Sequence, residues 1–235
     1  MDILNIGKEY VLFICLIFFT SSSIIVGCSH GVPVSFVDEQ FADVVRNHLD
    51  EIEDKEEISN RDLHEIDKFY IYNTGEKMYS SLVGYVEPGK FVQSIRGIEH
   101  MKNLEGLLIY GSLVEDIAPI KDLTSLESVE LKATKVEDIS SLSYLPNLRT
   151  LILEKNKIND LSPLTYLNDL RILILNEKGI KDLSPLLEIE SLVYLKVGQD
   201  MRKVIDNGNN QSILELLEKK QIEVNYIDEE YDYGF

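Results

Sequence analysis

Apolar residues recur along this chain with a period of 22 residues between positions 95 and 204. Five successive units keep one register without an insertion, so each apolar position of one unit has a counterpart in the next. A fixed period of this length is typical of solenoids, in which each unit buries its apolar edge only against its neighbours. The pattern therefore predicts a stack of repeats. Its first column reads Ile95, Ile117, Ile139, Leu161 and Leu183.

Each unit contains an L-x-L segment, in which two apolar residues flank one other position. Alternate residues of a strand point to the same face, so the two apolar residues are expected to point inward from a short strand. The equivalent pairs are Leu107 and Ile109, Val129 and Leu131, Leu151 and Leu153, Leu173 and Leu175, and Leu195 and Val197.

The complete unit resembles a leucine-rich repeat, of the 22-residue class found in the internalin-type proteins of bacteria, over about half of the chain. The resemblance implies an α/β solenoid. This is a leucine-rich repeat horseshoe with short parallel β-strands on the concave face, 3-10 or irregular turns on the convex face, a helical N-terminal cap and a helix-strand C-terminal cap. The unit that shows the motif best contains Leu148, Leu151, Leu153, Asn156, Ile158 and Asp160.

Two polar columns accompany the apolar ones. At the position of the family's asparagine only one unit carries that residue, so no continuous asparagine ladder is predicted. This column reads Ser112, Thr134, Asn156, Lys178 and Asp200. Aspartates close four units and precede the next turn, where a short acidic side chain is expected to cap the turn as it caps a helix. They are Asp116, Asp138, Asp160 and Asp182.

Segments that can cover the apolar core lie on both sides of the repeat array. The N-terminal one predicts an amphipathic helix with Asp38 as N-cap and an apolar face of Phe41, Val44, Val45, His48, Leu49 and Ile52. A degenerate first repeat is expected at Leu63, Ile66, Phe69 and Ile71. The C-terminal segment predicts a helix over 212–220 with Ile213, Leu216 and Leu217 on one face, then a strand with Ile222, Val224 and Tyr226 alternating.

The N-terminus carries a different signal. Residues 10–26 are almost wholly apolar and lead into Ile25, Val26, Gly27 and Cys28, which resembles the lipobox of bacterial lipoproteins. The resemblance implies cleavage before Cys28 and lipidation of that residue. More than one acyl chain is needed for stable anchoring. The alternative is an uncleaved membrane anchor, although the run is short for a full span. Both interpretations place the rest of the chain in the bacterial cell envelope, on the extracytoplasmic side of the membrane.

These signals divide the chain into seven segments. They are a lipoprotein signal peptide (1–27), a lipid-anchored linker (28–33), a helical N-terminal cap with a degenerate repeat (34–71), an inserted loop or small hairpin (72–94), five leucine-rich repeats (95–204), a C-terminal cap (205–227) and an acidic tail (228–235).

The concave face is the candidate binding surface, because residues beside the inward L-x-L pair face outward from the sheet. Several of these positions are apolar where a solvated sheet would be polar, and an exposed apolar patch rimmed by charge is the usual mark of a protein interface. The alternatives are strand propensity alone or cover by the inserted loop. The predicted partner-binding residues are Leu108, Tyr110, Glu130, Lys132, Ile152, Glu154, Ile172, Ile174, Tyr194 and Lys196.

Charge and motif content narrow the function further. A formal charge of −18 excludes nucleic acid as a partner, because phosphate binding needs a basic surface; basic proteins remain open. We find no catalytic motif, metal site, cofactor site or site for a small-molecule substrate. The expected function is therefore that of a lipid-anchored binding protein, not an enzyme, which recognises a protein partner through its concave face. The alternative is a lipid-tethered envelope scaffold or spacer without a dedicated partner.

Overall fold

A computed structural model describes most of the predicted caps and repeats. It covers residues 31–50, 58–73, 84–85, 90–198, 201 and 208–226. The predicted signal peptide, Cys28, residues 51–57 of the cap, most of the insertion, the end of the fifth repeat apart from Met201, and the acidic tail lie outside these residues. Within the described ranges, no helix has both the length and the apolar composition needed to cross a membrane.

The described residues contain one parallel sheet of eight strands, in the order β2-β1-β3-β4-β5-β6-β7-β8. Sequential strands are therefore neighbours from β3 onward, as in a solenoid. The strands are β1 (Lys68–Tyr72), β2 (Gly84–Tyr85), β3 (Gly106–Tyr110), β4 (Ser128–Lys132), β5 (Thr150–Glu154), β6 (Ile172–Asn176), β7 (Tyr194–Val197) and β8 (Glu223–Tyr226).

Neighbouring strands pair in the register that the period predicts. Leu151 lies beside Val129 on one side and beside Leu173 on the other, and each pair is separated by 22 residues in sequence. The predicted inward pairs are all buried, with at most 2% of the side chain exposed. The predicted leucine-rich repeat solenoid is confirmed.

Short 3-10 helices connect the strands across the apolar core. In the described chain they span Ile98–His100, Ala118–Ile120, Ser140–Tyr144, Ser162–Tyr166 and Ser184–Glu188. Proline stands in the first turn of three of them, at Pro119, Pro163 and Pro185. Its fixed φ and missing N–H suit the start of a helix.

The four predicted aspartates do cap these turns. In each, one carboxylate oxygen accepts a 2.8 Å hydrogen bond from the backbone amide two residues later, as Asp138 does from Ser140 and Asp182 from Ser184. The bonds from the backbone and then the side chain of these serines lower the pKa of Asp138 and of Asp182 below the usual value, against a small opposing effect of burial.

One more apolar column extends the repeat packing toward the N-terminus. Val92, Val114 and Val136 are fully buried, and each carbonyl accepts a 2.9 Å bond from an amide of the next unit, at Leu113, Lys135 and Lys157 respectively. Repeat-like packing thus already includes Val92, within the segment that the sequence assigns to the insertion.

The N-terminal cap contains the predicted helix, and Ile52 of its predicted apolar face lies outside the described residues. Helix α1 (Glu39–Asp50) begins after Asp38, whose carboxylate accepts bonds from the amides of Gln40 and Phe41. A second, short helix α2 (Asn60–His64) has Leu63 buried. Strand β1 then pairs in parallel with β3, with Phe69 beside Leu107 and Ile71 beside Ile109. The insertion returns to the sheet as β2, parallel to β1, and hence these two strands do not form a hairpin.

The C-terminal cap differs from the prediction in the start of its helix and in the residues that the helix buries. Helix α3 (Gly208–Lys219) buries Leu214 and Leu217, whereas Leu216 is 45% exposed. The helix begins earlier than predicted, and its inward face includes Asn210, which bonds to the main chain of Lys181 and Leu183. Assignment of Leu216 to the buried face was wrong. Strand β8 follows the helix, as predicted, and it pairs in parallel with β7.

A polar ladder, with Thr134 and Glu177 buried and Asn156 half-buried, takes the place of an asparagine ladder. Asn156 donates to the carbonyl of Leu131 (2.9 Å) and accepts from the amide and hydroxyl of Thr134 (3.0 and 2.6 Å). Lys178 holds the ladder column in the next unit but is exposed, and the preceding Glu177 is fully buried instead. Its carboxylate accepts bonds from the amide and side chain of Asn156, at 2.6–3.1 Å.

We expect Asn156→Ala to lower the free energy of unfolding by about 2–3 kcal/mol, because it leaves the buried Thr134 amide and the Leu131 carbonyl without their partner. Urea denaturation would measure this as a lower midpoint at unchanged slope. Asn159→Ala is the control, because it removes an exposed side-chain amide three residues further along the chain. It should change the free energy of unfolding by less than about 0.5 kcal/mol. Equal midpoints for both variants would contradict the role of the ladder.

We expect the contribution of Asp182 to stability to depend on pH. Its pKa is lowered in the folded chain, so the stabilisation is complete above the unfolded pKa of about 4 and is lost as the pH falls through the folded pKa. At neutral pH, Asp182→Asn keeps an acceptor and should cost less than Asp182→Ala, which should cost about 1 kcal/mol. Urea midpoints of the native chain and Asp182→Asn should converge in acid; a constant difference from neutral pH to acid would contradict this.

Candidate interaction surface

The outward residues of the strands form three rows across the sheet, and we call this surface the concave face. Strand register fixes the order within each row. The central row contains Tyr70, Leu108, Glu130, Ile152, Ile174 and Lys196. The row at the strand starts contains Lys68, Gly106, Ser128, Thr150, Ile172 and Tyr194. The row at the strand ends contains Tyr72, Tyr110, Lys132, Glu154 and Asn176. All ten predicted partner-binding residues therefore lie on one face.

The N-terminal part of the concave face offers less apolar surface than predicted. Leu108 is only 8% exposed, because Tyr70 and Glu130 stand beside it in the same row. Tyr110 is half-buried, and its ring lies 5.9 Å from that of Tyr72. Leu108 and Tyr110 therefore expose only small parts of their side chains and do not form an extended apolar patch.

The apolar residues of strands β5 to β7, in contrast, form one continuous group. Ile152 lies beside Ile174 in register, and Ile172 lies beside Tyr194. Ile172 is 37% exposed, and the other three are half-buried. Val193, which directly precedes Tyr194 at the start of β7, is 55% exposed. We call these five residues the apolar patch.

Val193 was missed because it lies just before the L-x-L segment, where the pattern gives no strand. The sequence did contain a signal for this residue, because four charged residues precede Val193 at the equivalent position of the repeat. This column reads Glu105, Glu127, Arg149, Arg171 and Val193. In the structure, the amides of Val193 and Tyr194 both donate to the carbonyl of Arg171 (3.0 Å each), which fixes Val193 at the margin of the patch.

Charged residues surround the apolar patch and several are paired. Lys132 lies 3.0 Å from Glu130, and Arg149 lies 3.1 Å from Glu127 on the neighbouring unit. Lys196 is half-buried beside Ile174, and Arg171 is exposed beside Ile172. Within the described residues, no three His, Cys, Asp or Glu side chains are grouped to hold a metal ion.

Comparison with known proteins identifies the type of fold. No protein-family model matches the sequence, and no curated protein does. The crystal structure of an internalin, InlF, from Listeria monocytogenes is similar with 30% sequence identity and a TM-score of 0.58, over 73% of this chain and 47% of that one. This chain has the internalin-type leucine-rich repeat fold. The internalin C2 of the same species is also similar, with 22% identity and a TM-score of 0.49, over 76% of this chain and 80% of that one.

The internalin-type fold explains why the concave face is the surface to consider. Stacked repeats leave one continuous sheet surface whose side chains change without changing the core, and repeat proteins bind other proteins on such surfaces. This chain spans about half of the length of InlF, so its partner is inferred from its own surface residues.

Proposed function

We propose that this internalin-type protein binds another protein through the apolar patch of its concave face. The observation that carries the proposal is the contiguity of the patch: Ile152, Ile172, Ile174, Val193 and Tyr194 are neighbours across three strands and keep part of their apolar surface in solvent. Contiguous exposed apolar surface with a charged rim is the mark of a protein interface.

Strand propensity alone does not account for this patch. The outward residues of strand β4 are Ser128, Glu130 and Lys132, so the same sheet accepts polar side chains at equivalent positions. Val193, moreover, precedes strand β7 and has no strand conformation to favour. The apolar residues also concentrate on adjacent strands instead of being scattered over the sheet.

The net charge of the chain bears on how a partner approaches. At a formal charge of −18, long-range attraction favours a protein whose own net charge is positive, and the same field repels nucleic acid. Long-range attraction mainly raises the association rate, whereas the contacts within the interface set the dissociation rate.

We also propose that the protein is tethered to the extracytoplasmic side of a bacterial membrane through a lipid on Cys28. The support is the sequence alone, with its apolar run over residues 10–26 followed by the lipobox-like Ile25, Val26, Gly27 and Cys28. A tether at this end leaves the repeat array free to meet partners outside the membrane.

We expect the double substitution Ile152→Asp and Ile174→Asp to reduce capture of the partner by roughly tenfold or more, because it places two charges within the buried centre of the interface. Cross-linking and affinity capture from intact bacterial cells would compare this variant with the native chain. Tyr144→Asp with Tyr166→Asp is the matched control, since these two tyrosines are 65% and 69% exposed on the 3-10 helices, away from the concave face.

Circular dichroism must first show that both variants are folded. A specific protein lost with the isoleucine variant and retained by the tyrosine variant supports the proposal. Equal capture by all three chains would exclude the apolar patch as the binding site, and absence of any captured protein would favour a lipid-tethered scaffold.

We expect Cys28→Ala to abolish incorporation of a labelled fatty acid and to release the protein from the membrane fraction, because no thiol remains at the lipobox-like site. Metabolic labelling followed by fractionation measures both. Cys15→Ala, which changes the cysteine of the apolar run, is the control and should retain label and membrane association. A labelled, membrane-bound Cys28→Ala variant would rule out lipidation at this residue.

A further inference from the structure

We infer that the segment of the partner that contacts the apolar patch is acidic: it places apolar side chains on the patch and carboxylates on Arg171 and Lys196. This inference rests on the proposed function and concerns the contact itself. An acidic segment is opposite in sign to the partner expected from the net charge of the chain. The reason is that two cations, Arg171 and Lys196, border the place where the contact forms.

The first observation is the position of the two cations. Arg171 is exposed and directly precedes Ile172, and its carbonyl accepts bonds from the amides of Val193 and Tyr194, so this residue lies next to these three apolar residues. Lys196 lies in register with Ile174 on the next strand. One cation thus lies at the strand starts and the other lies on the central row, with the patch between them.

The second observation is that these cations have no ion-pair partner within the described residues, whereas their neighbours do. Arg149 pairs with Glu127 at 3.1 Å, and Lys132 pairs with Glu130 at 3.0 Å. For Arg171 and Lys196 the described part of the chain supplies no such carboxylate. Surface ion pairs contribute little in water, but a cation bordering an interface gains from a carboxylate when the partner excludes solvent.

Two other carboxylates border the patch and do not neutralise these cations. Glu154 lies in register beside Lys132, at the opposite end of its strand from the row that contains Ile172. Glu223 lies beside Tyr194 and accepts a 2.8 Å bond from the side chain of Asn225. Carboxylates of a partner are therefore the groups that complete the charge pattern around the apolar patch.

The spacing of the cations restricts the shape of the acidic segment. Arg171 and Ile174 are three residues apart along β6, and Lys196 is one strand further, which gives a separation of about 11 Å between the backbone positions. Two turns of an α-helix rise by about 11 Å. A helix with apolar residues in its middle and acidic residues two turns apart matches both cations and the patch, and amphipathic helices commonly bind in apolar grooves.

Selection from a phage-displayed library of random dodecapeptides on the full native chain tests the inference without knowledge of the natural partner. Enriched peptides are expected to combine apolar residues with Asp or Glu on both sides. The most enriched peptide is then synthesised, and its affinity is measured by fluorescence anisotropy for the native chain and for three variants. Its binding to the native chain should weaken as salt is added.

The three variants separate the inference from the proposed function. The pair Arg171→Glu and Lys196→Glu should lower the affinity for the peptide by roughly tenfold or more. The pair Lys135→Glu and Lys157→Glu makes an equal charge change at exposed lysines off the concave face, and it should lower the affinity by less than about twofold. The pair Ile152→Asp and Ile174→Asp should also abolish binding.

Enrichment of basic peptides, enrichment of no peptide, or equal binding of acidic peptides to the first variant would overturn the inference. Basic peptides that still require Ile152 and Ile174 would overturn it and leave the proposed binding site intact. Peptides of either sign that bind the isoleucine variant as well as the native chain would contradict the proposed site itself.

Discussion

Nearest-neighbour burial is the constraint on which the rest of this structure depends. No unit of 22 residues can cover its own apolar edge, so Leu151 and Leu153 are removed from water only because the equivalent residues of β4 and β6 lie against them. The main chain has to satisfy its polar groups within the same stack, which the parallel strands, the 3-10 helices and the aspartate caps accomplish. Both ends require caps for the same reason, and helix α1 and the α3-β8 segment supply them.

The polar ladder shows how the fold tolerates an unfavourable residue. After strands β3, β4 and β5 the chain takes a positive φ at Gly111, Ala133 and Lys155, which turns the following side chain inward. The next unit has Lys178 at that inward position, and a lysine cannot lie unpaired in an apolar core. Glu177 is buried in its place and does not adopt the positive φ of its counterparts, while Asn156 supplies the donors that its carboxylate needs.

Features of the fold that depend on the 22-residue period could be predicted from the sequence. Features that depend on the packing of individual side chains could not. Strand positions, register and the caps followed from the repeat of Ile and Leu and from the helical spacing of Phe41, Val45 and Leu49. The burial of Glu177 did not follow, because it arises from competition between two adjacent residues for one space. The exposure of Leu216 depends on which face of helix α3 packs on the core, the low exposure of Leu108 depends on the strands beside it, and Val193 lies outside the motif. The ten candidate residues do share one face, but the exposure of each is a property of the assembled sheet.

The bond between Arg149 and Glu127 has a consequence for how such a chain changes over generations. It joins residues 22 positions apart, as do the lateral contacts between successive units of the array. Duplication of one complete unit would add a strand while every bond found its equivalent partner, and the binding surface would become wider without a new core. Gain or loss of a single residue would change by one the spacing of every pair that spans it, and would put the units on either side out of register. Evolution can therefore lengthen this surface in whole units far more easily than it can adjust its spacing.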